Sequence, residues 1–158
     1  MGEQAYLAFK TAHIFGAVLF VGNLLVTAVW KALADRSREP RIVAFAQRVV
    51  SVTDVVFTGL GAVIVLVSGM LMIVPYDIEF WNVPWIMWGL GLFVVSALLW
   101  ILVLVPIQMK QARLAREFAD GGEIPEGYWR LGRLWMVFGL IATALPLINV
   151  FLMVFKPM

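Results

Sequence analysis

Four apolar segments, each nearly free of charge, most constrain how this chain of 158 residues can fold. An α-helix rises 1.5 Å per residue, so about 20 apolar residues are enough to cross the hydrocarbon core of a bilayer. Of all residues, 63% are hydrophobic and 14% are charged, whereas soluble domains average roughly 25% charged residues. The sequence therefore predicts an integral membrane protein and excludes an ordinary soluble domain.

The apolar segments predict one all-α domain over residues 1–158. Its transmembrane helices are expected at about residues 5–30, 42–74, 84–118 and 128–155. Short connections make successive helices antiparallel, so we expect an up-down four-helix bundle. The first segment is interpreted as a retained helix because it is too long for a signal peptide and positive charge follows it.

Two features modify the predicted helices. Residues 41–54 are amphipathic, which predicts either an extension of the second helix out of the membrane or a helix lying on its surface. Pro106 predicts a kink or an end of the apolar part of the third helix. Aromatic residues near the start of the fourth helix, Tyr128, Trp129 and Trp135, are interpreted as an interfacial belt.

The basic residues predict the orientation of the bundle. All but Lys10 and Lys156 of the 12 Lys and Arg residues lie at or between the ends of the first two or the last two helices. The remaining turn carries Asp77 and Glu79 and no basic residue. By the positive-inside rule, both basic connections are cytoplasmic and both termini face outward. We therefore attribute the excess of basic residues to the orientation of the protein in a bacterial cytoplasmic (inner) membrane and to contact with anionic lipid head groups. We do not attribute it to nucleic-acid binding.

One stripe of the first helix carries the residues that are costly in lipid. At steps of three and four residues it comprises Lys10, His13, Gly16, Phe20, Asn23 and Thr27. Asn23 and Thr27 would lack hydrogen-bond partners in lipid, so we expect the stripe to face the bundle interior. Ionisable groups inside a membrane are candidate functional residues by default.

His13 supports several interpretations. It can be the axial metal ligand of haem b. In that case Gly16 leaves space for the flat ring, and Lys10 pairs with a propionate or supplies a second ligand. Asn23 then lines the same cofactor site. It can instead accept a proton, or hydrogen-bond a neighbouring helix while Lys10 snorkels. With no cysteine and one histidine, the chain has no thiol chemistry, iron–sulfur ligation or multi-histidine cluster of its own.

Three other polar residues are less specific. Asp54 lies where the second helix enters the membrane, and we expect it either to pair with Arg130 or Arg133 or to stay hydrated at the helix end. Gln108 and Asn149 are interpreted as ordinary hydrogen-bonding residues near the membrane boundaries.

Short motifs along the chain resemble those of a bacterial family of integral membrane proteins known as domain of unknown function 2269. The motifs are Lys10-Thr11-Ala12-His13-Ile14, Gly22-Asn23, Trp30, Arg48-Val49-Val50, Asp54-Val55-Val56-Phe57-Thr58, Ser68-Gly69, Pro84-Trp85, Trp100, Pro106-Ile107-Gln108 and Leu152-Met153-Val154-Phe155-Lys156-Pro157. The resemblance covers nearly the whole chain and implies a multi-pass membrane protein without an assigned reaction.

Lys10 and His13 are also similar to the Lys-x-x-His pattern of haem-containing membrane protoporphyrinogen oxidases and of copper-resistance D-type membrane proteins. That similarity implies haem b at His13, but the further histidines of the oxidases are missing, so a second ligand would come from Lys, Met or a second copy's His13.

These observations lead to one main hypothesis and two alternatives. The main hypothesis is a membrane protein that binds haem b through His13 for electron transfer or oxidation. The first alternative is a non-enzymatic scaffold or accessory subunit that contacts the lipid bilayer and either forms a homodimer or binds a partner membrane protein. The second is permeation of protons or small molecules along the polar stripe.

Overall fold

The computed structural model describes residues 2–74 and 80–157, and within these ranges the chain forms four long helices. They are α1 (Glu3–Ser37), α2 (Pro40–Ile73), α3 (Pro84–Glu117) and α4 (Glu126–Phe155). Each helix is long and apolar enough to cross a membrane, so the predicted all-α membrane fold is confirmed. The acidic turn predicted around Asp77 and Glu79 lies outside the described residues.

Local sequence explains where the helices begin and end. α2 and α3 start with Pro40 and Pro84, whose fixed φ and missing N–H suit the first turn of a helix. The connection between α3 and α4 contains Gly121 and Gly122 at φ values of 118° and 110°, where a residue without Cβ avoids strain.

The helices pack as two antiparallel pairs. α1 contacts α2 along most of its length and α3 contacts α4, while α2–α3 and α1–α4 contacts join the pairs. At the α1–α2 crossing, a Cβ on Gly61 would lie 2.9 Å from the Phe20 backbone N and 3.0 Å from the Gly16 carbonyl oxygen. Only glycine permits this approach, as is typical of helix pairs in membranes.

The stripe predicted on α1 does face the bundle interior in its central part. Gly16, Phe20, Asn23 and Thr27 are buried, Lys10 is exposed and His13 is half-buried. α1 also continues beyond the expected end at residue 30 to Ser37, because the next members of the stripe, Lys31 and Ala34, are buried as well.

The amphipathic stretch over residues 41–54 is an extension of α2, which runs without interruption from Pro40 to Ile73. As predicted, the third helix continues past Pro106, and it ends at Glu117. A π-helical stretch, Trp100–Leu104, lies just before the proline, with Val105 between them. Pro106 would clash with the carbonyl four residues earlier in a regular α-helix, and the wider turn at Leu102 relieves that clash.

The predicted aromatic belt needs a correction at two positions. Tyr128 is fully buried and Trp135 is 8% exposed, so neither lies open to the membrane interface. Tyr128 packs against Val43, Ala115 and Phe118 because the extensions of α2 and α3 cover the start of α4. The lipid-facing surface consists instead of exposed apolar side chains such as Phe15, Val18 and Leu140.

Candidate functional site

Two π-helical stretches lie opposite each other in the bundle interior. One is Asp54–Gly59 in α2 and the other is Trp100–Leu104 in α3. Trp100 Nε1 donates a hydrogen bond of 3.5 Å to Asp54 Oδ2, and a Cβ on Gly59 would lie 3.5 Å from Trp100 Cη2. π-Helical turns are rare and occur often at functional sites, so their pairing makes this depth of the bundle the candidate site.

The Asp54 carboxylate is the centre of the site. It is 5% exposed and accepts hydrogen bonds from Asn23 Nδ2 (3.2 Å), Thr58 Oγ1 (3.3 Å), Trp100 Nε1 and Gln108 Nε2. Each oxygen therefore has two donors, which matches the four lone-pair sites of a carboxylate. Because a buried charge without partners is very costly, these donors are what allow Asp54 to lie inside the bundle.

Asn23 links this carboxylate to α1. Its amide nitrogen also donates to Thr58 Oγ1 at 2.8 Å, and its amide oxygen accepts a bond of 3.2 Å from Thr27 Oγ1. The sequence predicts that Asn23 lines a cofactor site with His13, but the structure places it in the network around Asp54.

The expected alternatives for Asp54 are both wrong. Its partners are amides, a hydroxyl and an indole, and the ion pairs among residues 2–74 and 80–157 do not join it to Arg130 or Arg133. Arg133 pairs with Glu126 at 3.3 Å instead. Asp54 lies inside α2 and is buried because α3 brings Gln108 and Trp100 over it, so it is not an exposed charge at a helix end.

A cavity of about 430 Å³ adjoins the Asp54 network. All four helices contribute to its largely apolar wall, and α4 supplies Trp135, Gly139 and Thr143, which recur every four residues. The indole N–H of Trp135 is buried and has no hydrogen-bond partner among the described residues. An unsatisfied buried donor costs about 1–3 kcal/mol.

The cavity reaches the lipid-facing surface of the bundle. Its rim includes Val29, Val63 and Leu140, whose side chains are 61%, 57% and 63% exposed. The cavity therefore extends to residues that are exposed on the outside of α1, α2 and α4.

His13 lies apart from this network. Its Nδ1 is 2.9 Å from the Val65 carbonyl oxygen and 3.2 Å from Ser68 Oγ, and a Cβ on Gly69 would lie 3.3 Å from its Cε1. The ring is therefore held against α2, and a separate cavity of about 120 Å³ adjoins it.

The residues predicted to form one cofactor site are not brought together around His13. Lys10 is exposed, and Asn23 belongs to the Asp54 network. The face of Gly16 is filled, because a Cβ there would lie 2.8 Å from Ile64 Cγ2. In the described part of the chain, His, Cys, Asp and Glu residues form no group of three or more that could hold a metal ion.

The basic end of the bundle contains a second buried network that the sequence analysis missed. Lys31, 1% exposed, donates to Asp35 Oδ1 at 2.6 Å and to the Tyr128 hydroxyl at 2.9 Å. The Tyr128 hydroxyl in turn donates to Gln47 Oε1 at 3.3 Å. Lys31 and Asp35 lie four residues apart, a spacing that brings two side chains together on a helix. This spacing is the sequence feature from which their ion pair could have been predicted.

Comparisons with known proteins give a family but no solved relative. The family model described as "Predicted integral membrane protein (DUF2269)" matches residues 7–157. No curated protein and no solved structure matches the chain.

Replacing Asp54 with asparagine should destabilise the protein. The new amide nitrogen would face two of the four donors around Asp54, so we expect a loss of roughly 1–3 kcal/mol in the free energy of unfolding. The thermal unfolding of the detergent-solubilised protein, followed by circular dichroism, measures this. The control is Asp120→Asn at an exposed position, which should change stability by less than about 0.5 kcal/mol. Equal stability of the two variants would contradict the role given to Asp54.

Proposed function

Because the chain belongs to the DUF2269 family of predicted integral membrane proteins, we propose that it binds a lipophilic small molecule inside the membrane, in the cavity beside Asp54. The single observation that carries this proposal is the 430 Å³ cavity with its largely apolar wall.

The size and shape of the cavity define the ligand class. Ligand pockets typically measure roughly 300–1,000 Å³, and this cavity lies within that range. Trp135 and Thr143 are eight residues apart on α4, which at 1.5 Å per residue places them about 12 Å apart. The proposed ligand is therefore an elongated, mainly apolar molecule.

The polar groups of the cavity wall indicate which polar groups the ligand carries. The hydroxyl of Thr143, a lining residue on α4, is a hydrogen-bond donor, and a carbonyl oxygen is the simplest acceptor for it. The Asp54 carboxylate already has four donors, so it does not need the ligand as a partner. Its negative charge nevertheless disfavours an anionic ligand in this low-dielectric site.

Benzophenone, an apolar ketone that crosslinks to nearby C–H bonds under ultraviolet light, tests the proposal in nanodiscs. Met136 lines the cavity, whereas Met109 is 64% exposed and reports labelling from the lipid. We expect stronger labelling at Met136 than at Met109, measured by peptide mass spectrometry. Thr143→Val should reduce binding roughly two- to tenfold through the loss of one hydrogen bond.

A matched pair of glycine variants controls this experiment. Gly139 lies in the middle of the α4 wall with open space at its Cβ position, and Gly91, outside the cavity lining, has the same open space. Gly139→Phe should abolish the preference for Met136, and Gly91→Phe should leave it intact. Equal labelling of both methionines in all variants would reject the ligand site and favour the non-enzymatic scaffold.

A second candidate function is haem b binding through His13, for electron transfer or oxidation. The observation in its favour is the bond between His13 Nδ1 and the Val65 carbonyl, because this partner orients the ring and leaves Nε2 as the ligating nitrogen. The residues fit a haem in the interior poorly, since the adjoining cavity is about 120 Å³ and Gly16 packs against Ile64. We propose that a haem would lie between two copies of the chain, with one His13 from each.

Absorption spectroscopy tests haem binding directly. Protein expressed with added haem should show a Soret band and, after dithionite reduction, an α band, and both should be lost in His13→Ala. Thr11→Ala, at an exposed position on the same helix, should retain them. A spectrum without a Soret band in the unaltered protein would eliminate this candidate.

We also propose that the protein resides in the bacterial inner membrane with its basic end in the cytoplasm and both termini outside. The support is the concentration of Lys and Arg at that end. Since the chain has no cysteine, single cysteines can be placed by Gly2→Cys and by Glu123→Cys, both at exposed positions. We expect a membrane-impermeant maleimide to label Gly2→Cys in intact spheroplasts and Glu123→Cys only after lysis. The reverse pattern would invert the topology.

A further inference from the structure

We propose that a groove between α2 and α3 at the basic end of the bundle binds the phosphate group of an anionic phospholipid. The groove measures about 430 Å³ and lies between the first turns of α2 and the last turns of α3. It is separate from both the Asp54 cavity and the His13 cavity.

The groove exists because one of its walls is made of small side chains. Ala112 and Ala115 of α3 and Ala119, two residues after the end of α3, line this wall. The facing side of α2 carries longer side chains at steps of three and four residues, Arg41, Phe45, Arg48 and Val52. The space opposite the alanines is therefore left open at the surface.

The groove is positively charged and therefore suits an anion. Arg41 and Arg48 from α2 and Arg116 from α3 line it, and no carboxylate is among its described lining residues. The ion pairs found in the described part of the chain do not involve these three arginines. Arg41 is held at one edge, where its Nη2 and Nε donate to the Asp120 carbonyl oxygen at 3.2 and 3.4 Å.

The floor of the groove adds an unsatisfied donor. The Lys31 ammonium can only donate hydrogen bonds, so the Tyr128 hydroxyl accepts one from it. The same hydroxyl then donates a hydrogen bond to Gln47 Oε1. Gln47 Nε2 is consequently left without a partner among the described residues, and it is buried. Gln47 lines the groove, and as an uncharged side chain it does not offset the positive charge of the arginines.

The apolar residues of the groove favour a lipid over free phosphate. Phe45 and Val52 alternate with the arginines along α2 and are 67% and 56% exposed. An acyl chain can lie along these two side chains while the arginines hold the phosphate, since guanidinium groups match phosphate oxygens in bidentate geometry. Free phosphate would leave this apolar strip uncovered.

Native mass spectrometry of the full-length protein in detergent tests the proposal, with dioleoylphosphatidylglycerol as the anionic probe and dioleoylphosphatidylcholine as the neutral one. We expect retention of the anionic lipid and little retention of the neutral one. The double variant Arg48→Gln/Arg116→Gln should weaken retention roughly tenfold to thirtyfold. The conservative variant Arg48→Lys should give a smaller loss because it keeps the charge but not the bidentate geometry.

The control is the double variant Arg113→Gln/Arg130→Gln, which removes the same charge from exposed positions outside the groove. It should retain the anionic lipid. Equal losses in both double variants would show general electrostatic attraction and overturn the proposal. Displacement of the lipid by millimolar inorganic phosphate would identify a free-phosphate site and overturn the lipid assignment. If the groove double variant does not fold, Arg116→Gln alone makes the same comparison against Arg113→Gln.

Discussion

The Asp54 carboxylate is the constraint on which the rest of the bundle interior depends. A buried negative charge must be surrounded by donors, and here they come from α1, α2 and α3, through Asn23, Thr58, Trp100 and Gln108. Helices in lipid gain little from apolar burial against each other, because lipid tails are equally apolar. The network therefore fixes the depth and rotation at which three helices meet, in a way that apolar contacts would not.

The cavity follows from the same arrangement. The π-helical turns of α2 and α3 widen the backbone and direct Asp54 and Trp100 toward each other. Around them the facing positions are small, with Gly59 on α2 and Gly139 on α4. Because small side chains do not fill the gap beside the network, the bundle keeps an internal space at this depth.

Charge and hydropathy divide the molecule into two kinds of site. In the middle of the bundle, the cavity wall is largely apolar and the Asp54 carboxylate has all its hydrogen-bond donors. This environment suits a neutral lipophilic molecule. At the basic end, Arg41, Arg48 and Arg116 have no carboxylate among the described residues that line their groove, which is an environment for an anion. Lys31 is also part of this end, but Asp35 neutralises it inside the protein, so it does not contribute to the exposed positive surface.

The sequence by itself determined the four helices and the inward stripe of α1, since segment length, apolar content and the spacing of Gly16, Phe20, Asn23 and Thr27 are local properties of the chain. Tertiary structure decided what those residues do. The partners Asp54 and Gln108 are 54 positions apart, and Ile64 of α2 fills the space beside Gly16. Such contacts depend on the rotation and offset of one helix against another, which a periodic pattern in a single helix does not encode.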